Sequence, residues 1–360
     1  MTKKLLKYVI YIIIALVLFY LIALLVLFYI GPFTTLRVKQ ALKNHPTNVI
    51  VSLTTTPYRI NKIKLVLDSI SNQSIKPTKI YLNIPWKFKR DNSKYIIPEW
   101  LKSYPGIIIN RTKDYGPATK LLATLEKEHD PKSIIITVDD DTLYPKHVVR
   151  DLVGQYLFDD SVKNSVITGS GLNLLYFLDN DLYLSRVTCA NCASGLLMGV
   201  SGVAYKREFF KEDIFSLMEN VPISCFLSDD LMLSSYILAN NINIIKASGP
   251  SYNLVTMELF LHLPSSIADD ALQSGANTLG TGANETNYID CMLNLSQYNK
   301  DHYRKSFLAR SKAMLSVSEK ELLYKTFNYF YYNYYIKGMI RVMPFMEKLI
   351  IKTIGQTNVF

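Results

Sequence analysis

Residues Ile134 to Val138 (Ile-Ile-Ile-Thr-Val) are uncharged and almost all β-branched, and Asp139-Asp140-Asp141 follows them without a break, then Thr142-Leu143-Tyr144-Pro145. Such a run predicts a strand buried on both faces, as in a parallel sheet. Three carboxylates at its end fall where open α/β sheets carry their ligands. Adjacent anions beside a hydrophobic strand cost free energy unless cations or hydrogen bonds compensate. A divalent metal bridging to a phosphorylated substrate would do so, since hard cations take carboxylate and phosphate oxygens together. A solvated acidic turn is the plainer alternative.

The 360 residues can build one large or two ordinary domains with a sizeable core. A net charge of +10 favours anionic partners: a phospholipid surface, nucleotide phosphates or nucleic acid. No Lys/Arg run resembles a nucleic-acid arm, so no nucleic-acid partner is expected. The four cysteines, Cys189, Cys192, Cys225 and Cys291, do not make a disulfide scaffold in so long a chain. Cys189 and Cys192 have zinc-knuckle spacing but lack a second pair. A Cys225–Cys291 disulfide is possible and would imply an oxidising compartment.

Residues 1–7 form a short basic tail. Tyr8 to Ile30 is 23 residues without a charge, enough to cross a hydrocarbon core of ~30 Å, and predicts a single-pass transmembrane helix. Lysines 3, 4 and 7 on one side balance Arg37, Lys39 and Lys43 on the other, so the side of the membrane on which the rest of the chain lies stays open. Residues 31–47 read as a polar linker. Asn48 to Leu53 predicts a buried strand, Ile60 to Ile70 a helix with one apolar face, and Lys79 to Ile84 a second strand: a βαβ unit and hence a parallel sheet. Ile107 to Ile109 reads as a third strand, and Gly116-Pro117 opens a helix reaching about Lys127.

The run from Val49 to Leu82, with Thr54-Thr55-Thr56-Pro57, Arg59 and the helix end Ser69-Ile70-Ser71-Asn72-Gln73, resembles the opening of family 2-type glycosyltransferases of the GT-A fold. The resemblance extends to about Ile245. It implies a GT-A-like (Rossmann-like) α/β domain over residues 48–300, with a mixed, mostly parallel sheet flanked by helices. By the same resemblance Thr54, Thr56 and Arg59 line the nucleotide pocket, and Asp114 and Lys120 approach the nucleotide or its diphosphate. Where the family usually has acids after the second strand, this chain has Asn83-Ile84-Pro85.

In that family an Asp-x-Asp at this strand end holds Mn²⁺ or Mg²⁺ against the donor's phosphates. Alternate residues share a side of a strand, so Asp139 and Asp141 are expected to converge on the ion. Asp140 points the other way and is counted with the donor-binding residues. His262 is a candidate late metal ligand. The glycine-spaced run Gly195 to Arg207 resembles the floor of the sugar pocket; as a bare pattern it is also a bulged core strand. Ser228-Asp229-Asp230 opens a helix, with Ser228 or Asp229 as N-cap. The family places its general base at the second acid here, which implies Asp230, with Asp229 as fallback. Residues 301–360 read as a helical, aromatic and basic membrane-proximal segment, with Leu322 to Ile351 lying on the membrane.

These readings lead to metal-dependent transfer of a sugar from a nucleotide-sugar to a hydroxyl of a glycan or lipid-linked glycan, with inversion. The rivals are a nucleotidyltransferase, which favours a glycine-rich phosphate loop that Thr54 to Pro57 lacks, and a catalytically inactive, membrane-bound carbohydrate-binding protein of the same fold.

Overall fold

β1 (Val49–Thr54) has no formal charge and is buried over five of its six residues. The computed structural model sets it between β2 (Lys79–Pro85) and β4 (Ile134–Thr137), parallel to both. Described are residues 11, 12, 14–20, 33–178, 181–187, 190–252, 261–263, 284–298 and 300–312. With β3 (Ile107–Thr112), β6 (Ser165–Leu178), β7 (Asp181–Arg186) and β8 (Leu196–Lys206), the sheet runs β3-β2-β1-β4-β8-β6-β7. β9 (Asn243–Lys246) pairs with β6 in parallel, whereas β8 is antiparallel to both β4 and β6. A separate ribbon joins β5 (Thr142–Leu143) to β10 (Leu261–His262).

Alternation along the central strands splits the core in two. Val49, Val51 and Leu53, with Ile134, Ile136 and Val138, face one layer; Ile50 and Ile135 face the other. The first layer is completed by α2 (Lys64–Ser71) and α4 (Val148–Phe158), through Val66, Leu67, Ile70, Val149, Leu152 and Val153. The second takes α3 (Thr119–Leu125) and α5 (Asp229–Ala239), through Leu121, Leu122, Leu125, Leu231 and Met232. Ser52 interrupts β1 on that side and is satisfied there: its hydroxyl donates to the Lys120 carbonyl and accepts from Asn83 Nδ2 at 2.9 Å. Asn83 also accepts from Asn110 Nδ2 at 2.8 Å. The departure from the family's acids is thus a closed polar network inside the sheet, where an unpaired carboxylate would be costly.

The residues expected to be a linker do more than connect. α1 (Thr35–Asn44) is capped by Thr34, whose hydroxyl accepts from the Arg37 N–H, and it buries Val38. Phe33 stacks on Phe158 at 6.2 Å between ring centroids. A Cβ on Gly154 would come within 2.7 Å of Phe33, so the glycine makes room for that ring. Beyond residue 300, the expected start of a helical segment, the chain is helical. α6 (Asp301–Lys312) is part of the folded body: Phe307 is fully buried and Arg310 Nη1 donates to the Leu238 carbonyl at 2.6 Å. An apolar side chain on a basic helix had a core layer to enter.

Of the expected transmembrane span, residues 11, 12 and 14–20 are described; they are helical and their apolar side chains are exposed. Among the described residues no helix is long and apolar enough to cross a membrane. The rest of that span and the aromatic segment from Leu322 to Ile351 lie outside the described residues. Cys225 and Cys291 form a disulfide. Cys192 is also disulfide-bonded, which removes its thiolate as a zinc ligand.

Candidate active site

The loops that leave the C-terminal ends of β1 and β4 meet on one rim, and the residues between α2 and α4 hold the acidic turn there. Gln73, at the end of the Ser-Ile-x-x-Gln sequence, donates through Nε2 to the Pro145 carbonyl at 2.9 Å and accepts from the Val149 N–H at 3.1 Å. Ser69 Oγ accepts from the Tyr144 N–H at 3.2 Å. The Tyr144 hydroxyl in turn accepts from the Asp139 N–H at 2.7 Å. The helix end fixes the segment that follows the three acids, and so fixes the acids.

The acids do not divide as simple strand alternation predicts. Arg59 Nη1 lies 3.0 Å from Asp140 Oδ1 and 2.9 Å from Asp141 Oδ2, so these two share one guanidinium. Asp139 turns to Lys120, whose Nζ is 2.7 Å from its Oδ1 and 3.1 Å from Asp229 Oδ2. β4 ends at Thr137, before the acids, so the pleat no longer governs where they point. Thr55 donates to Asp140 Oδ2 at 2.6 Å, and sequence reasoning had passed it over for its neighbours. Its one signal was its place in Thr-Thr-Thr: the middle residue faces the acids, while Thr54 donates to the Asn83 carbonyl at 2.8 Å.

Asp114 is buried and organises a turn, accepting from the Lys89 N–H and the Gly116 N–H, both at 2.7 Å. Each of its oxygens thus accepts one backbone N–H. The backbone of His262 lies opposite Thr142 in the β5–β10 ribbon, and the Leu263 N–H donates to the Asp141 carbonyl at 2.7 Å. That ribbon brings His262 into the neighbourhood of the acids from more than a hundred residues away.

α5 delivers the second pair of acids from across the sheet. Ser228 stands at its N-terminus but makes no side-chain cap, since its hydroxyl donates to the Ser224 carbonyl at 2.6 Å. Asp229 is buried against Lys120, and Asp230, which keeps some exposure, accepts from the Gly199 N–H at 3.0 Å. Gly199 sits in β8, and a Cβ there would come 2.7 Å from Lys120 Nζ and 3.4 Å from Asp139 Oδ1. The glycine is needed because the ion cluster closes over it. The run Gly195 to Arg207 thus holds β8 (Leu196–Lys206), a strand of the sheet that also contributes its backbone to the site.

The electrostatics follow from this packing. Burial alone would lower the pKa of Lys120, but Asp139, Asp229 and Asp230 outweigh it and hold the ammonium protonated well above its ordinary range. Enclosure and then Asp229 raise Asp230 well above the usual carboxylate range, against the pull of Lys120. Asp141 is pushed up to about 7 by burial, then by Asp140 and Asp139, with Arg59 opposing. Five carboxylates and two cations from four separate segments thus share one site. Such a cluster, carrying perturbed carboxylates at the C-terminal rim of an α/β sheet, is where proton transfer and anion binding are expected.

No family model matches this chain. No curated relative matches it. Among solved structures it resembles residues 1–349 of Staphylococcus aureus TarS, with a TM-score of 0.37 and 14% identity over 76% of each chain. It also resembles glucosyl-3-phosphoglycerate synthase from Mycobacterium tuberculosis, solved with Mn²⁺, UDP and phosphoglyceric acid, with a TM-score of 0.29 and 14% identity over 38% of this chain. The chain spans about half of that synthase, 47% of its length. A third likeness is 4-diphosphocytidyl-2C-methyl-D-erythritol synthase from Anaerococcus prevotii, with a TM-score of 0.35 and 16% identity over 61% of this chain and 94% of that one. The strand order, the mixed pairing and the flanking helices described above fit a GT-A-like α/β fold.

Proposed function

We propose that this protein transfers a sugar from a nucleotide-sugar donor to a hydroxyl of a glycan or lipid-linked acceptor. The observation that carries the reading is the convergence of Asp230 with the Arg59 and Lys120 cations on the rim where β1 and β4 end. Lys120 is 2.7 Å from Asp139 and Arg59 is 2.9 Å from Asp141, so both cations are fixed beside the acids. Fixed charges of this kind receive a diphosphate without reorganising during the reaction. Thr54 and Thr56, on the same loop as Arg59, complete the donor side.

Asp230 is the general base. Its raised proton affinity suits a carboxylate that must accept a hydroxyl proton near neutral pH. Asp229, paired with Lys120, is the less available of the two. A single displacement with Asp230 on the acceptor side inverts the anomeric carbon.

The donor set suits a divalent ion of the Mg²⁺ or Mn²⁺ kind. Among the described residues no group of three or more protein ligands forms a cage. Magnesium commonly takes one or two carboxylates together with substrate phosphates and water. Asp139 and Asp141 are the more open of the three acids, at 27% and 17% side-chain exposure, and each commits one oxygen to a protein cation. Their second oxygens would hold the ion, with His262 as a further candidate. When bound, it would take up charge on the leaving diphosphate.

We read the N-terminal apolar run as a single-pass membrane anchor. The Cys225–Cys291 disulfide supports an oxidising side for the catalytic domain. The test is transfer and hydrolysis of a nucleotide-sugar panel with Mn²⁺ by wild type, Asp141→Ala and Asp230→Asn. Asp141→Ala is expected to lose metal-dependent donor binding, while Asp230→Asn binds donor but does not transfer. Unchanged activity in both variants overturns the reading.

A further inference from the structure

The rim where β2 and β3 end carries charge that the function described above does not use. Residues 86–95 and 111–114 hold Lys87, Lys89, Arg90, Lys94, Arg111 and Lys113 against two acids, Asp91 and Asp114. Both acids are engaged locally. Asp91 accepts from the Ser93 N–H at 2.8 Å and from the Tyr58 hydroxyl, and Asp114 holds its turn through two backbone N–H groups. Cations gathered in this way attract anions. A pocket of about 270 Å³ opens among them, lined by Lys89, Lys113, Tyr115, Met218, Glu219 and Asn220. Tyr115 and Met218 are buried and wall it, while both lysines are exposed. Lys113 Nζ lies 2.8 Å from Glu219 Oε1, so its charge is held by an exposed carboxylate that a stronger anion can displace. Lys89 makes no ion pair among the described residues, and its Nζ stands 5.1 Å from the centre of the Phe226 ring. Phe226 is three residues before Asp229, and the Gly116 backbone packs on it so closely that a Cβ there would collide with the Phe226 carbonyl oxygen. The pocket therefore abuts the segment that leads into Asp229 and Asp230.

We propose that this pocket is an anion subsite for a phosphate group carried by the acceptor. The proposal rests on the reading of the protein as a sugar transferase with Asp230 on the acceptor side. Two lysines suit phosphate, because each ammonium is a compact point charge with three donors, whereas a carboxylate is matched best by the planar fork of arginine. An arriving phosphate takes the place of Glu219 at Lys113 and adds Lys89, which has no carboxylate to give up. An acceptor anchored there is held beside the approach to the base, while Thr54, Thr56 and Arg59 on the loop after β1 serve the donor. A phospholipid headgroup carries the same phosphate. Basic segments meet a membrane surface along an open face, however, and here the cations line a cavity walled by two buried side chains.

Isothermal titration of the full-length protein tests this, with glucose 6-phosphate, glucose, inorganic phosphate and dihexanoyl phosphatidic acid as probes. Wild type is expected to bind glucose 6-phosphate and not glucose, and to bind it more weakly as salt is raised. Lys89→Gln with Lys113→Gln is expected to weaken that binding at least about tenfold, and Glu219→Gln to tighten it about twofold. Both lysines are exposed, so the double variant is expected to keep the wild-type Tm. It should also bind UDP with Mn²⁺ as wild type does; a parallel loss of UDP affinity assigns the pocket to the donor and overturns the proposal. Equal binding of glucose 6-phosphate by wild type and the double variant overturns it too, as does inorganic phosphate or phosphatidic acid binding in place of glucose 6-phosphate. If wild type transfers no sugar from any donor yet binds glucose 6-phosphate through these lysines, the transferase reading fails and the acceptor role falls with it, while the anion subsite stands.

Discussion

The ammonium of Lys120 lies 2.7 Å from Asp139 Oδ1, joining the helix that precedes β4 to the rim that follows it. Because Lys120 also meets Asp229, it contacts acids of both halves of the site. At 7% exposure it is a buried charge, and its removal leaves the buried Asp229 carboxylate without its cation.

Lys120→Met is therefore expected to lower folding stability by about 3 kcal/mol near neutral pH. With the cation gone, the native acids hold protons more tightly than in the unfolded chain. The native state then binds more protons, so the loss grows as pH rises and shrinks toward pH ~5. Urea unfolding of both proteins across that range checks the sign.

Gly199→Ala puts a methyl group 2.7 Å from Lys120 Nζ, the mobile end of a long side chain. The lysine can give way at modest cost, but its ion pair with Asp139 cannot survive unchanged. Transfer is expected to fall at least about tenfold, and the urea midpoint to fall by less than in Lys120→Met, since the cation is displaced and not removed. A variant with full activity would remove Gly199 from the site.

His147 supplies a stability signal of its own. Burial, then Arg150 and Lys146, depress its pKa to about 4, and its Nδ1 lies 2.8 Å from Ser74 Oγ. The unfolded imidazole titrates at about 6.5, so between these values the unfolded chain binds more protons. This contribution is complete above pH ~6.5 and is lost as pH falls toward 4. In His147→Gln the urea midpoint is expected to fall less between those pH values than in wild type.

The Cys225–Cys291 disulfide closes a loop across a sequence separation of 66 residues. By loop-closure entropy alone, Cys225→Ser with Cys291→Ser is expected to cost about 4 kcal/mol. Unfolding with and without a reducing agent checks it. Wild type should converge on the double variant once reduced.

How much of this was legible beforehand varies with the physics of each part. The strands at 49, 79, 107 and 134 and the helices packed on them were readable, because period-2 and period-3.6 burial is written locally. Asp114 and Lys120 were both named as donor-side residues; in the structure one holds backbone N–H groups of a turn and the other pairs with acids from both halves of the site. Both lie beside the same Gly-Pro, so nothing local separates them.

By itself the sequence determined the central sheet, the acidic rim at its edge and the acids that open α5, since each follows from neighbouring residues and their spacing. Only the tertiary structure decided that Asp140 and Asp141 share Arg59, that Asp139 turns to Lys120, that the Gly199 N–H holds Asp230, and that Cys225 meets Cys291. Each of those pairings spans from about twenty to more than eighty residues. Which charge neutralises which is settled by where whole elements dock, and that docking is driven by burial of apolar faces that carry no record of the polar partners they bring together.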